Sequence, residues 1–374
     1  MTRREALAAF ASIPLVARMA RAAPTAPVAI AKCSSYGAGD VLNAMSAMCD
    51  QIGGLGRIVA NKTVTVKVNL TGAPSQRING LAPGRTHYTH PQTVMALCHL
   101  LDRAGARRIR IVEGAFGTNG RLEDFLLDSG WNPRALAATA KNVEFENTNV
   151  LGKDKRYLRV KVPGGGLIFP AWDLNHSYVE TDVFISMAKL KNHATCGVTL
   201  SMKNCFGITP ASIYGDDAGV DEPNENPTEG RGNSCHAGSR GPSKSAPQEL
   251  NPSSPRDPGY RMPRITAELA SARPIHISFI DGVETVAGGE GPWVGKLRPI
   301  APGVMLMGTN PVATDTVATA IMGYNPRARK GEAPFRDCDN TLLLAESLGV
   351  GTADLNRIEV AGVPISKARF PFAS

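Results

Sequence analysis

Hydrophobic residues along this chain follow two alternating periods, which predict strands and helices in turn. Apolar, β-branched runs of about four to eight residues are typical of buried strands, and apolar residues at every third or fourth position are typical of amphipathic helices. The predicted strands are Val28–Lys32, Thr63–Leu70, Ile109–Glu113, Asp182–Met187, His276–Asp281, Val304–Met307 and Arg357–Val360. The predicted helices are Asp40–Ile52, Pro91–Ala104, Leu122–Ser129, Thr195–Cys205, Pro263–Ala272, Pro311–Met322 and Asn340–Leu348.

The strand–helix alternation predicts the fold class. Strands separated by helices form parallel sheets, because the crossover helices pack on the faces of the sheet. Two of the helices have a clear start, since Pro91 and Pro311 each occupy a first helical position. We therefore expect residues 23–374 to form a single α/β domain, with a mostly parallel sheet and helices on both faces.

One segment shows neither period. Residues 216–260 are rich in Pro, Gly, Ser and Asn, and they predict a long irregular insertion. Loops of this length either cover a functional site or lack order. The composition favours disorder, and ordering over a ligand is the alternative.

The start of the chain has the layout of an export signal. Arg3 and Arg4 precede a short, mildly apolar run over residues 6–17, and small residues flank position 21. This layout is typical of a cleavable twin-arginine signal, and the run is shorter than the roughly 20 residues of a membrane span. We expect the twin-arginine translocase as a partner, cleavage after Ala22, and a periplasmic or otherwise exported protein. An ordinary amphipathic helix is the alternative.

Charge and cysteine content narrow the choice of partners. The net charge is +8, and cleavage after Ala22 removes four arginines and one glutamate, which leaves +5. No Lys/Arg block is typical of a nucleic-acid arm, and we expect no stable membrane span. The seven cysteines contain no Cys-x-x-Cys pair, so we expect no iron–sulfur cluster or zinc ribbon built on local ligands.

The segment 185–207 holds the densest set of candidate site residues. Lys189, Lys191 and His193 follow a predicted strand in a basic loop. Ligands bind beyond the carboxyl ends of strands in open parallel sheets, and lysines at that edge attract anions. We predict Lys189 as a cofactor-binding residue and Lys191 and His193 as catalytic residues, with His193 as acid–base group or metal ligand. A solvated basic turn is the alternative.

Four further residues are predicted to bind the anion or cofactor. Lys203 and Asn204 end the predicted helix and are close in sequence to the basic loop, with a helix C-cap as the alternative. Lys67 and Asn69 lie in an apolar strand, where a lysine is costly unless it is paired or points into a site. An edge strand with an outward lysine is the alternative for Lys67.

Three carboxylates are predicted to hold a divalent metal or a hydroxyl group. Asp281 ends a strand, Glu290 lies in a glycine-rich loop, and Asp315 lies near the start of a helix, where a dipole role is the alternative. A divalent ion allows lysines and carboxylates to share one site. The identity of any cofactor stays open.

These segments together resemble the domain of unknown function 362 family. The most specific pieces are Lys-x-Lys-x-His over 189–193 and Lys-Asn-x-Phe-Gly over 203–207. The resemblance implies that the chain is related to the members of this family. It implies no established activity, because the family is named for its unknown function. Some members carry cysteine-rich ferredoxin-like segments, which this chain lacks. The family usually has a short link after Phe-Gly, often with a histidine, where this chain has a long loop containing Cys235 and His236.

The residues predict an exported protein whose crevice binds an anionic small molecule or cofactor, with enzymatic action left open. The first alternative is a redox or metal accessory protein that uses Cys196, Cys205 or Cys235 together with His193 or His236. The second alternative is a ligand-binding protein without turnover.

Overall fold

The computed structural model describes residues 25–151 and 156–372, so the predicted export signal lies outside the described residues. The strands are β1 Thr25–Lys32, β2 Thr63–Lys67, β3 Arg108–Glu113, β4 Val143–Asn147, β5 Tyr157–Lys161, β6 Ala171–Asn175, β7 Val183–Lys189, β8 Asn192–His193, β9 Gly197–Val198, β10 Ile277–Gly282, β11 Thr285–Ala287, β12 Arg298–Ile300, β13 Val304–Gly308 and β14 Ile358–Gly362. The helices are α1 Ala38–Gln51, α2 Gly56–Val59, α3 Pro91–Arg103, α4 Leu122–Asp128, α5 Pro133–Ala137, α6 His176–Val179, α7 Leu200–Asn204, α8 Ala211–Tyr214, α9 Pro258–Ala272, α10 Pro311–Ile321, α11 Thr341–Ser347 and α12 Ile365–Ala368.

Eight strands form one sheet in the order β14-β1-β13-β10-β7-β2-β3-β4. Only β13 runs against the others, because it pairs antiparallel with both of its neighbours, β1 and β10. The other five pairings are parallel. The predicted α/β class with a mostly parallel sheet is confirmed, and the carboxyl ends of β10, β7, β2 and β3 lie side by side at one edge.

Helices cover both faces of the sheet, as predicted. Alternate residues of a strand point to opposite faces, and two apolar cores follow from this alternation. Val66 of β2 packs in one core with Leu97 of α3, and α1 and α4 contribute to the same core. Ile280 of β10 packs in the other core with Val317 of α10, beside α7 and α9. The helices on each side therefore bury the central strands, whereas the edge strands β4 and β14 stay partly exposed.

The predicted helix over residues 195–205 is wrong in its first half. Strands β8 and β9 pair there as a short antiparallel hairpin, and α7 begins only at Leu200. Gly197 in β9 and Leu200, the first residue of α7, have φ angles of 73° and 44°. Left-handed residues interrupt a right-handed helix, so no continuous helix runs over 195–205. The backbone therefore turns sharply before the helix starts.

Two further elements differ from the prediction: one helix starts earlier, and one strand is additional. Helix α9 begins at Pro258 rather than Pro263, because the Asp257 side chain accepts a hydrogen bond from the Gly259 N–H and caps the helix there. The last residues of the predicted insertion therefore belong to α9. Strand β4 was missed, since its alternating Glu144 and Glu146 obscure the apolar pattern of a strand at the edge of the sheet.

Residues 216–257 cross the carboxyl edge of the sheet without forming an α-helix or a strand. A single π-helical turn occupies Gly232–Ala237. The Arg231 guanidinium donates to the Thr209 carbonyl, and the Arg240 guanidinium donates to the Gly215 carbonyl. These bonds attach the segment to the preceding loop. Ordering of this segment over a ligand stays a prediction.

Within the residues that the structure describes, no helix combines the length and apolar character needed to cross a membrane.

Candidate functional site

A cavity of about 470 Å³ lies at the carboxyl edge of the sheet, under the segment 216–257. Its volume falls within the range of about 300–1,000 Å³ that is typical of small-molecule sites. We call it the lysine cavity. It brings together seven of the ten predicted site residues: Lys67, Asn69, Lys191, His193, Lys203, Asn204 and Glu290.

Lys67 is a buried, fully paired cation. Its ammonium group donates to the Glu113 carboxylate at 2.6 Å, to the Val68 carbonyl at 2.8 Å and to the Asn204 side-chain oxygen at 3.0 Å. All three of its N–H donors are therefore used within the protein. The alternative of an edge strand with an outward lysine is wrong, because β2 lies between β7 and β3.

Two residues of the segment 203–207, Asn204 and Gly207, lie against Lys67. Asn204 accepts from Lys67 and donates to the Ser186 hydroxyl at 2.9 Å, so it links β2 to β7. Gly207 lies against the lysine side chain, and a Cβ there would be 2.8 Å from Lys67 Cε. Such a contact is too close for any residue with a side chain. The Lys-Asn-x-Phe-Gly motif thus builds one wall of the cavity.

Lys191 is completely buried and forms no ion pair in the described residues. Its ammonium group donates to the carbonyl oxygens of His87 and Glu290, at 2.7 and 2.9 Å. Burial lowers its pKa well below the usual lysine value, and the neighbouring Lys189 and Lys203 add to that effect while Glu290 opposes it. Keeping the Lys191 ammonium group protonated in this environment therefore costs electrostatic free energy.

Lys203 carries the least compensated charge of the cavity. The side chain is 8% exposed, and its ammonium group lies 4.2 Å from the centre of the Phe206 ring. In the described part of the chain, neither a hydrogen-bond acceptor nor a carboxylate pairs with that group. Burial lowers the pKa of Lys203, and a cation–π contact replaces only part of the lost hydration.

Among the described residues, Arg231 is a third cation without an ion pair, and it is not among the site residues predicted from the sequence. Its guanidinium donates to the Thr209 carbonyl at 2.7 Å and to the Asn149 side-chain oxygen, and it forms no ion pair within the described chain. Burial lowers its pKa. Gly114 permits this position, since a Cβ there would be 2.8 Å from the guanidinium. No sequence signal marks Arg231, because it lies in a segment without periodicity.

Two histidines in the cavity have opposite hydrogen-bonding roles. His193 Nδ1 accepts from the Thr195 N–H at 3.1 Å, so the neutral ring carries its proton on Nε2, which is available as a donor. His236 Nδ1 faces the Arg231 carbonyl at 3.2 Å and must donate to it, which leaves Nε2 as an acceptor. Burial lowers the pKa of His193 well below its usual value and that of His236 to about 4. Both rings are therefore neutral near pH 7, and the 3.9 Å contact of His193 with Glu290 is not an ion pair.

Asn69 has an unsatisfied polar group at the cavity. Its side-chain oxygen is buried and has no hydrogen-bond partner among the described residues, although the side chain lines the cavity. A buried carbonyl without a partner costs about 1–3 kcal/mol. The oxygen is therefore positioned to accept a hydrogen bond from a ligand or from water.

The three carboxylates predicted to hold a metal lie in separate networks. Glu290 is in the cavity, where it accepts from the Ala194 N–H and the Trp293 indole, both at 2.9 Å. Asp315 lies outside the cavity and accepts from the Ser201 and Met202 N–H groups, so it caps α7 rather than responding to the dipole of its own helix. Burial raises the pKa of Asp315 to about 7.

Asp281 and Lys189 form a buried pair outside the lysine cavity. The Lys189 ammonium lies 3.0 Å from Asp281 Oδ2, and the Tyr36 hydroxyl donates to the same carboxylate at 2.9 Å. Lys189 also donates to the Gly84 carbonyl at 2.9 Å. These contacts fix the loop before α1 against the sheet edge, and they remove both residues from the predicted anion site.

The cysteines do not form a metal centre in the described residues. All seven are free and buried. No group of three or more His, Cys, Asp or Glu side chains within the described ranges is arranged to hold a metal ion. Burial raises the pKa of Cys196 and Cys235 to about 11 and that of Cys205 to about 12, so these thiols stay protonated at neutral pH.

Fold and site together define an α/β protein with a cation-lined cavity at the carboxyl edge of its sheet. The chain belongs to the family described as Domain of unknown function (DUF362), whose profile matches residues 64–320, and the resemblance drawn from its motifs is confirmed. It is 26% identical over 187 residues to a thylakoid-associated protein of Synechocystis sp., across 50% of this chain and 51% of the relative. The chain thus spans about half the length of that curated relative. No solved structure matches it significantly.

Proposed function

We propose that the lysine cavity binds a small molecule through an oxyanion group, such as a carboxylate or a phosphate. The observation that carries the proposal is the convergence of three cations without ion pairs in the described chain: Lys191 and Lys203, which are buried, and Arg231, which is partly buried. A buried charge is costly unless an opposite charge compensates it. A bound oxyanion supplies that charge and accepts the hydrogen bonds that the ammonium group of Lys203 lacks.

Four carboxylates of the described residues line the cavity, and none of them forms an ion pair with Lys191, Lys203 or Arg231. Glu229 is exposed to solvent. Glu113 is engaged with Lys67. Glu290 receives an N–H bond on each oxygen. The two oxygens of Asp216 accept from the N–H groups of Gly232 and Asn233. The remaining cations are therefore free to bind a ligand from solution.

The same cavity offers groups for acid–base catalysis. The Nε2 proton of His193 suits an oxygen that gains negative charge, while Nε2 of His236 suits proton abstraction, because the neutral tautomers differ. This arrangement supports an enzyme as the second candidate and a binding protein as the first. In a catalyst, His193→Gln lowers the turnover of a bound substrate with little change in its affinity, whereas in a pure binder only affinity changes.

Metal binding is the alternative to the oxyanion site. A divalent ion at Asp281, Glu290 and Asp315 requires these residues to leave three separate networks. A Cys/His accessory centre requires thiols whose pKa burial has raised. Elemental analysis of protein purified from its own host decides between these alternatives. Stoichiometric metal that is lost on paired Cys→Ser changes supports the accessory role, and its absence supports the oxyanion site.

Isothermal titration with methylphosphonate and with acetate tests the oxyanion site directly. We expect Lys203→Met to weaken binding by about 10- to 100-fold, because a hydrogen bond to a charged group contributes about 1.5–3 kcal/mol. Lys161→Met is the matched control, since Lys161 is exposed and outside the cavity. Equal affinities in wild-type protein and both variants contradict the proposal.

We also propose export through the twin-arginine translocase into the periplasm. The proposal rests on Arg3 and Arg4 before a short apolar run, and seven buried free thiols are compatible with folding in the cytoplasm before transport. We expect the double variant Arg3→Lys, Arg4→Lys to stay in the cytoplasm at full length, while wild-type protein has Ala23 as its first residue. Export of the double variant contradicts the proposal.

A further inference from the structure

Two aromatic side chains stand exposed where the lysine cavity opens to solvent. Phe116 follows β3 and is 46% exposed, and Trp293 lies between β11 and β12 and is 52% exposed. Both line the cavity. The other large hydrophobic side chains that are exposed in the described residues are aliphatic and line no part of it: Leu127, Leu151, Val220 and Leu250.

Trp293 is fixed in place although half of its surface is exposed. Its indole N–H donates to Glu290 at 2.9 Å, and the ring lies on Gly291, where a Cβ would be 2.6 Å from Trp293 Cη2. Glu290 in turn accepts from the Ala194 N–H. A large apolar ring held by a buried carboxylate is preorganised for contact, because little side-chain entropy remains to be lost on binding.

Both rings keep exposed surface for a ligand, although Gly291 covers part of Trp293. Neither Phe116 nor Trp293 contacts another aromatic ring or a cation in the described part of the chain. Deeper in the cavity, Phe206 lies beneath the Lys203 ammonium group. The cavity therefore has aromatic surface at its mouth and positive charge at its base.

Resting on the proposed oxyanion site, we infer that the ligand is an aromatic oxyanion. Its carboxylate or phosphate group binds Lys191, Lys203 and Arg231, and its planar ring contacts Phe116 and Trp293 at the mouth. Flat rings pair with aromatic side chains by offset stacking or edge contact, and a cavity of about 470 Å³ holds a ligand larger than a bare inorganic anion. A purely aliphatic or inorganic anion leaves both rings exposed to water.

Phenylphosphonate and methylphosphonate form a matched pair of probes, because they share the charged group and differ in the ring. We expect phenylphosphonate to bind about tenfold more tightly, since aromatic contacts add to area burial. Tryptophan fluorescence gives a second readout. Trp131 and Trp172 are 5% and 0% exposed. A change in tryptophan fluorescence that phenylphosphonate causes and methylphosphonate does not therefore reports on Trp293.

Variants at the mouth separate the ring contact from the charge contact. Phe116→Ala and Trp293→Ala should each lower the affinity for phenylphosphonate by a larger factor than the affinity for methylphosphonate, because only phenylphosphonate has a ring that contacts these side chains. Trp293→Phe keeps a ring but loses the bond to Glu290, so it should retain most of the preference. Leu127→Ala is the control, because Leu127 is 58% exposed and outside the cavity.

The outcomes distinguish the two proposals. Equal binding of both probes, or equal loss for both probes in the Phe116 and Trp293 variants, overturns the aromatic ligand and leaves the oxyanion site standing if Lys203→Met weakens both. Failure of the wild-type protein to bind either probe overturns the oxyanion site, and the aromatic ligand with it.

Discussion

Gly207 lies directly against the ammonium group of Lys67, so that a Cβ on Gly207 would stand 2.9 Å from Lys67 Nζ and 3.0 Å from the Glu113 carboxylate. The glycine thereby leaves room for a buried ion pair that joins β2 to β3 at the base of the lysine cavity. A residue without a side chain is required at this position because of its neighbours, since its φ angle is not in the left-handed region.

Gly207→Ala should displace Lys67 and lower the free energy of unfolding by about 1–3 kcal/mol, the usual cost of overpacking a tight site. Urea denaturation measures the change. Gly39→Ala in α1 is the matched control, because a Cβ on Gly39 would have no neighbouring atom within 4 Å. Full stability of Gly207→Ala contradicts the close packing described above.

Lys203 and Lys67 should respond in opposite ways to replacement by methionine. Lys203→Met removes a buried charge without a hydrogen bond, so the free energy of unfolding should stay the same or rise. Lys67→Met leaves Glu113 buried without its partner and should cost about 3–5 kcal/mol. Thermal and urea unfolding without ligand measure both. A large loss of stability in Lys203→Met would show that Lys203 stabilises the fold, which contradicts the prediction.

Anion binding should take up protons and weaken as the pH rises. Burial lowers the pKa of Lys191 and Lys203 in the free protein, and a bound anion raises both values again because it favours the charged form. Calorimetry in buffers of different ionisation enthalpy measures the number of protons taken up. The expected number is positive in the alkaline range and becomes smaller in Lys203→Met. Binding without proton uptake across the alkaline range contradicts the prediction.

His236 should make the fold sensitive to acid. Its pKa is about 4 in the folded protein, because burial opposes the charged ring, against about 6.5 in an unfolded chain. As the pH falls from about 6.5 to about 4, the unfolded chain binds this proton first, so stability present at neutral pH is lost. In the wild-type protein, His236 should make the free energy of unfolding fall by on the order of 3 kcal/mol between about pH 6.5 and about pH 4. His236→Gln should remove this contribution. Urea denaturation at both pH values measures it, and identical pH profiles contradict the prediction.

The seven cysteines should be inert in the folded protein. All are buried and free, and burial raises the pKa of each thiol. The thiolate is the reactive form, so a thiol reagent near pH 7 should label none of them quickly. In denaturant it should label seven per chain. Rapid labelling of Cys196 or Cys235 in the folded protein supports the rival redox role instead.

Most of the sheet could be predicted from local patterns, because buried parallel strands are continuous apolar runs and the helices between them have a strong period. The starts at Pro91 and Pro311 were correct for the same reason, since caps act within a few residues: His90 Nδ1 and Asn310 Oδ1 accept N–H bonds from the first turns. The predicted helix over 195–205 is longer than α7, because the left-handed residues Gly197 and Leu200 belong to the β8–β9 hairpin and to the turn that follows it.

The sequence by itself determined the α/β class, the family and seven residues of the cavity, because these depend on periodicity, motifs and the rule that strand ends meet at one edge. Only the tertiary structure decided how each charge is compensated. It paired Lys67 with Glu113 and Lys189 with Asp281, left Lys203 without a carboxylate, and brought in Arg231 from a segment without a pattern. The physical reason is that an ion pair depends on the distance between atoms far apart in the chain, and neither composition nor spacing along the sequence contains that distance.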